Sequence, residues 1–322
     1  MTFKDFVRTL DDWGNNNIPF FFLIDFEQKK PVAFRLDELP NDIRYEFNGR
    51  TNQTKSLPPA VRIRVEANPI AENEFKEKFD LVSKHLSHGD SYLTNLTVKT
   101  EVSLDKTLYE IFLVAKAKYK LLFKDDFLVF SPETFVQISD GKIYSFPMKG
   151  TIDAAVPSAE AVILADEKEL AEHVTIVDLI RNDLSLIAKN VEVTRFRFID
   201  RIVSDKKELL QVSSEIKGEL FNEMTRSFGS ILEKLLPAGS ISGAPKKKTL
   251  EIIRQAEGAE RGYYTGVSGV YDGQVFDSGV LIRYIEKREG KTFYRSGGGV
   301  TTASEWRKEF REIMDKIYVP VN

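Results

Sequence analysis

Hairpin punctuation limits this chain's fold more than any other feature. Asp140-Gly141, Asp272-Gly273 and Glu289-Gly290 each stand between two short runs rich in β-branched and aromatic residues. Such dipeptides supply the positive backbone angles of a tight turn, and strands joined by a tight turn are antiparallel. Lys142–Phe146 follows the first turn, and Leu121–Phe123, Leu128–Phe130 and Phe135–Ile138 precede it as further strands. Near the C-terminus, Tyr263–Tyr271, Phe276–Lys287 and Thr292–Ser296 read as a three-stranded meander. Other segments have helical spacing. Asn73–His88 places Phe75, Phe79, Val82 and Leu86 along one side, and Asp105–Tyr119, Asp166–Ala188, Asn222–Leu236, Lys246–Glu257 and Ala303–Ile317 are further candidates. Pro19–Glu27, Pro31–Leu36, Ser91–Val102, Val191–Phe198 and Leu209–Glu219 read as strands, and Lys55–Glu72 as a polar connection. Helices mixed with hairpins predict an α+β fold with antiparallel sheets rather than a doubly wound parallel one.

Composition removes several chemistries. The 322 residues include no cysteine, which excludes disulfides, zinc thiolates, iron–sulfur clusters and a cysteine nucleophile. With only three histidines, His85, His88 and His173, a metal would be held by oxygen. A net charge of −3 argues against a nucleic-acid partner held by bulk electrostatics. The N-terminal residues lack the apolar core of a signal peptide, and the longest apolar runs, such as Phe20–Ile24, fall far short of a membrane span. A cytoplasmic chain with no membrane partner is expected.

Several residues have spacing that suits chemistry. Glu169 and Glu172 stand three apart on one helix, and Glu309 and Glu312 repeat the spacing on the last. Each pair projects from one helix face and suits a hard cation, although solvated surface glutamates are the plainer reading of the spacing by itself. Ser296-Gly297-Gly298-Gly299 reads as a turn that exposes backbone N–H groups to an anion, or simply as a tight turn. Pro237–Lys246 lacks the Gly-Lys-Ser/Thr ending of a phosphate loop. Lys149 follows a strand in Pro-Met-Lys-Gly-Thr. Desolvation or a nearby cation there would free its amine as a nucleophile, and an exposed loop lysine is the plainer reading. Glu133 stands at the mouth of a strand. His85 and His88 read as helix-end polarity.

In order along the chain stand GDSYLTNLT (89–97), SPETF (131–135), PMKGT (147–151) and ELAEHVTIVDLIRNDL (169–184). PAGSISGAPK (237–246), RGYYTGVSGVY (261–271), FDSGVLIR (276–283) and SGGGV (296–300) follow. This succession resembles the chorismate-utilising enzyme family over roughly residues 70–318. The resemblance implies two antiparallel sheets forming a sandwich around a buried active site, with helices outside. It implies one chorismate-binding domain over 1–322, in which 1–69 is a short N-terminal extension contributing strands.

The resemblance also implies roles. Magnesium is held by Glu172 and Glu312, supported by Glu169 and Glu309. Ser240, Lys246, Tyr264, Arg283 and the backbone of Gly297, Gly298 and Gly299 anchor chorismate. Glu133 is the general acid and Lys149 the covalent nucleophile. Lys149 stands where anthranilate synthases usually carry alanine, and Gln211 where they carry histidine. Leu93 stands where the water-using members carry a lysine base. The implied reaction is therefore aminodeoxychorismate synthesis from chorismate and ammonia, with anthranilate synthesis as the alternative. Without a cysteine, glutamine-derived ammonia needs a separate amidotransferase subunit. Tryptophan inhibition is not expected.

Overall fold

A computed structural model of the protein describes residues 1–53, 63–203 and 208–321. The first part of the expected Lys55–Glu72 connection lies outside these residues. The rest of it contains the strand Val65–Asn68 and the start of the helix Glu72–His88. The described chain forms two compact units. The first draws on residues 1–39, 133–239 and 265–280, and the second on 40–132, 240–264 and 281–322.

Each unit is built on one antiparallel sheet, and among the described residues each sheet has nine strands. In the first unit the long strand Glu208–Leu220 organises one end. Lys142–Ser145 and Met148–Asp153 pair in succession along one of its sides, and Ala188–Val203 along the other. The sheet continues through Thr134–Ser139, Phe276–Val280, Val267–Tyr271, Phe20–Ile24 and Val32–Arg35. The helices Phe3–Asn15 and Phe228–Leu235 pack with this far end through a ring cluster. In it, Phe276 stacks on Phe228 at 4.8 Å and on Phe22 at 5.3 Å between centroids. Such contacts account for the five consecutive buried residues of Phe20–Ile24, a strand covered on both faces.

In the second unit the strands run Gly243–Ala244, Leu93–Leu104, Lys291–Val300, Tyr284–Arg288, Phe127–Ser131, Tyr119–Phe123, Ile43–Phe47 and Arg50–Thr51. Val65–Asn68 also pairs with Leu93–Leu104. Helices Glu72–His88, Lys246–Glu257 and Trp306–Asp315 bury Phe75, Phe79, Ile252 and Ile313 against Leu96, Val98 and Val300. Helix Leu108–Val114 covers another part through Leu108, Ile111 and Phe112.

The α+β class and the antiparallel sheets agree with the sequence reading. Four local expectations are corrected. Phe276–Lys287 is not one strand. The backbone turns left-handed at Arg283 (φ 54°), and Phe276–Val280 and Tyr284–Arg288 enter different sheets. The Gly297–Gly299 segment is not a turn but part of the strand Lys291–Val300, because its pairing with Leu93–Leu104 continues as far as Val300. Pro147 opens a separate strand, Met148–Asp153, so Lys149 lies within a strand rather than after one. Finally, the residues up to 69 contribute a helix, Phe3–Asn15, besides strands, capped by the Thr2 side chain accepting from the Asp5 N–H.

Candidate active site

In the first unit, the segments that carry the expected acid and lysine are each tied to neighbouring strands of the sheet. Ser145 Oγ donates to the Phe135 carbonyl at 3.1 Å, which aligns the end of Lys142–Ser145 with the start of Thr134–Ser139. Glu133 immediately precedes the latter strand, and its carbonyl accepts from the Val280 N–H at 3.1 Å. Beyond Ser145, Pro147 is tied to the neighbouring strand by the Ser214 N–H at 3.0 Å, and Lys149 follows two residues later.

The helix Glu167–Ser185 supplies the carboxylates. Asp166 caps it, accepting from the Glu169 N–H at 2.9 Å. Its inward stripe consists of Glu172, His173, Ile176, Val177, Ile180 and Leu184. A carboxylate on such a stripe needs a partner. Lys149 provides it, with Nζ 2.6 Å from Glu172 Oε2, and Lys168 Nζ lies 3.7 Å from the other oxygen. Glu169 approaches the same strand one residue further on. Gly150 has φ 88°, and a Cβ there would lie 3.1 Å from Glu169 Oε2, so a glycine both permits the backbone angle and leaves room for the carboxylate. Gln211 lies opposite Thr151 in the strand register. Lys149 is therefore tied to a buried carboxylate of this helix.

His173 was visible in the sequence only as one of three histidines. It is completely buried, with Nε2 2.7 Å from Ser214 Oγ. Burial, followed by the nearby Arg197 charge, lowers its pKa from 6.5 to about 4, against the Lys149 backbone, which favours the protonated ring. Its one signal in the sequence was its place directly after Glu172.

In the second unit, Gly298 meets both glutamates of the last helix. A Cβ at Gly298 would stand 3.6 Å from Glu309 Oε2 and 3.9 Å from Glu312 Oε1. Lys316, which the sequence reading missed, joins the strand to the helix by donating to the Gly297 carbonyl at 2.9 Å and to Glu312 Oε1 at 2.7 Å. Tyr264 is buried beneath the Arg295 guanidinium, 5.0 Å from its ring centre. Burial pushes its hydroxyl up to about 12, so it stays protonated. Arg283 lies 5.4 Å from the Tyr318 ring centre. Ser240 precedes the short strand Gly243–Ala244, and Lys246 opens the helix Lys246–Glu257.

Arg261 was read only as the first letter of a motif, yet it organises this segment. Its guanidinium donates to the Ile241 carbonyl at 2.9 Å, to the Asn95 carbonyl at 2.8 Å and to Glu257 at 2.6 Å. Glu257 in turn accepts from the Thr97 N–H at 2.9 Å. His85 and His88 close the Glu72–His88 helix, and both ring Nδ1 atoms contact Asp90, at 2.7 and 3.2 Å.

Among the described residues, no three histidine or acidic side chains form a group able to hold a metal. The donors nevertheless suit magnesium in kind. Each unit offers two carboxylates one helical turn apart, one of them buried (Glu172 and Glu309). Magnesium needs only one or two carboxylates, completing its shell with water and substrate oxygen.

Residues 23–322 match the family described as chorismate binding enzyme. This chain belongs to that family. The family match begins well before residue 70, inside the strand Phe20–Ile24. This family member is 45% identical over 321 residues to an uncharacterized PabA-like protein of Haemophilus influenzae, covering 99% of this chain and 98% of the relative. It is 30% identical over 283 residues to anthranilate synthase component 1 of Archaeoglobus fulgidus, covering 83% of this chain and 68% of that one. It is also 30% identical over 267 residues to aminodeoxychorismate synthase component 1 of Bacillus subtilis, covering 78% of this chain and 56% of that longer relative, so the chain spans just over half of its length. The menaquinone-specific isochorismate synthase of Escherichia coli shares its fold, with a TM-score of 0.72 and 16% identity over 97% of this chain and 80% of that one. No described helix is long and apolar enough to cross a membrane.

Proposed function

We propose that this chorismate-utilising enzyme is an aminodeoxychorismate synthase, converting chorismate and ammonia to 4-amino-4-deoxychorismate in the cytoplasm. The observation that carries this reading is Lys149, set in a strand beside Glu172 and Glu169 and two residues from Thr151, which faces Gln211. In the proposed reaction Lys149 Nζ bonds to C2 of chorismate, both double bonds of the ring diene shift by one position, and the C4 hydroxyl departs as water after Glu133 protonates it. Ammonia then bonds to C4 as the C2–N bond breaks, returning the amine of Lys149. Splitting the displacement in this way sends nitrogen to C4. Lys149 Nζ, 2.6 Å from Glu172 Oε2, gives up its proton to solvent before it attacks.

Magnesium is the proposed cofactor, with Glu172 and Glu169 as the carboxylates offered by the first unit and Glu312 and Glu309 those offered by the second. When bound, it would supply positive charge for a substrate carboxylate. Tyr264, Arg283, Ser240, Lys246 and the backbone of Gly297–Gly299 are proposed to bind the substrate. A chain without cysteine takes glutamine-derived ammonia from a separate amidotransferase subunit.

Anthranilate synthesis is the second reading, supported by the likeness to the Archaeoglobus protein. Mass-resolved product analysis with chorismate, Mg²⁺ and ammonium separates the two. We expect 4-amino-4-deoxychorismate, lost in Lys149→Ala. Anthranilate as the product, or an unchanged rate in Lys149→Ala, refutes the proposal.

A further inference from the structure

His173 has no part in the chemistry proposed above, yet it is completely buried against two strands of the first unit. Its seat is Ser214, also completely buried, which joins three pieces of backbone. The Ser214 N–H donates to the Pro147 carbonyl at 3.0 Å, at the entrance to the strand of Lys149. Its Oγ accepts from the Arg197 N–H at 3.0 Å and meets His173 Nε2 at 2.7 Å. Arg197 then reaches the end of the helix Ala159–Ala165, donating to the Leu164 and Ile163 carbonyls at 2.8 and 3.0 Å. The Phe196 ring closes one edge of the imidazole, 5.8 Å away between centroids. The Lys149 backbone also faces the ring.

A helix is held along its axis by many contacts, but its rotation about that axis depends on a few side chains that fit fixed seats. His173 is such a side chain, and its neighbour in sequence is Glu172. Side-chain ends stand about 6 Å from a helix axis, so a rotation of about 10° moves a carboxylate by about 1 Å. That is enough to break the contact between Glu172 and Lys149.

We propose that His173 is a positioning residue: seated on Ser214, it fixes the rotation of the Glu167–Ser185 helix against the Met148–Asp153 strand and so holds Glu172 on Lys149. Its effect on turnover rests on the lysine chemistry proposed above. Its effect on the Lys149–Glu172 contact does not.

The test compares the whole chain with its His173→Leu, His173→Gln and Ser214→Ala variants by two readouts. One is the rate at which an N-hydroxysuccinimide acetate acylates Lys149 without added metal, read by peptide mass spectrometry against exposed Lys247. The other is the steady-state kinetics with chorismate and ammonium. His173→Leu is expected to raise Lys149 acylation severalfold and to lower kcat by about 10²-fold with little change in KM. His173→Gln, whose amide reaches the position of Nε2, is expected to restore most of both. Ser214→Ala removes the same contact with a smaller change of volume and is expected to raise acylation even if His173→Leu does not fold. Unchanged Lys149 acylation in a folded His173→Leu or Ser214→Ala variant overturns the proposal. If the unaltered chain turns over no chorismate while acylation responds as expected, the functional reading fails and the positioning role stands.

Discussion

Lys149 Nζ and Glu172 Oε2 stand 2.6 Å apart, joining the strand of the PMKGT segment to the buried face of the helix Glu167–Ser185. Glu172 is almost wholly buried and Lys149 largely so, so removing one partner leaves the other poorly solvated. Lys149→Met is expected to lower stability by about 3 kcal/mol, and the double variant with Glu172→Leu by less than the sum of the two single changes. Urea unfolding of the four proteins measures the coupling, and additive losses would show the contact to be energetically idle.

Gly150→Ala tests the clearance beneath Glu169. The positive φ and the 3.1 Å approach of the carboxylate act together, and a cost of about 1–2 kcal/mol is expected from the backbone angle alone. The variant should also lose turnover more than thermal stability, because the carboxylate must move to admit the methyl group. A variant as active and as stable as the parent contradicts this account of the glycine.

Arg261→Leu should be among the most damaging single changes in the second unit. It leaves the Glu257 carboxylate buried and strips the Ile241 and Asn95 carbonyls of their donors. The expected loss is about 3–5 kcal/mol. Glu257→Leu in the same chain should return part of it, as read by denaturant midpoints.

Acid should weaken the fold through His173. An unfolded histidine takes up its proton near pH 6.5, whereas this buried ring does so only near about 4. Between those values the unfolded chain binds more protons. The stabilisation is therefore complete above the higher pH and disappears as pH falls towards the lower one. On the order of 3 kcal/mol is at stake. His173→Gln should flatten that part of the stability–pH curve, and an equal slope in both proteins would assign the acid sensitivity elsewhere.

Much of this protein is written locally. Asp140-Gly141 and Glu289-Gly290 announce their hairpins because positive backbone angles are a property of the turn residues themselves. Lys246–Glu257 matches its helix end to end because its apolar spacing and the closing Gly258 lie within one short stretch. The i, i+3 glutamate pairs were likewise legible as pairs, since helical geometry alone puts them on one face. Two local readings failed where a distant segment took part. The glycines of 297–299 look like a turn until the strand Leu93–Leu104 is laid beside them. Phe276–Lys287 looks like one strand until Arg283 breaks it between two sheets.

What the chain could not announce is which partner each buried charge would find. Nothing near Lys149 in sequence points to Glu172, twenty-three positions on, and nothing near His173 points to Ser214. Arg261 gives no sign that it will bind carbonyls of Asn95 and Ile241. Periodicity and turn chemistry act over a few residues and can be read along the chain. The pairing of a charge or a buried nitrogen depends on which strands become neighbours and how far a helix is rotated, and those are set by packing among segments remote in sequence.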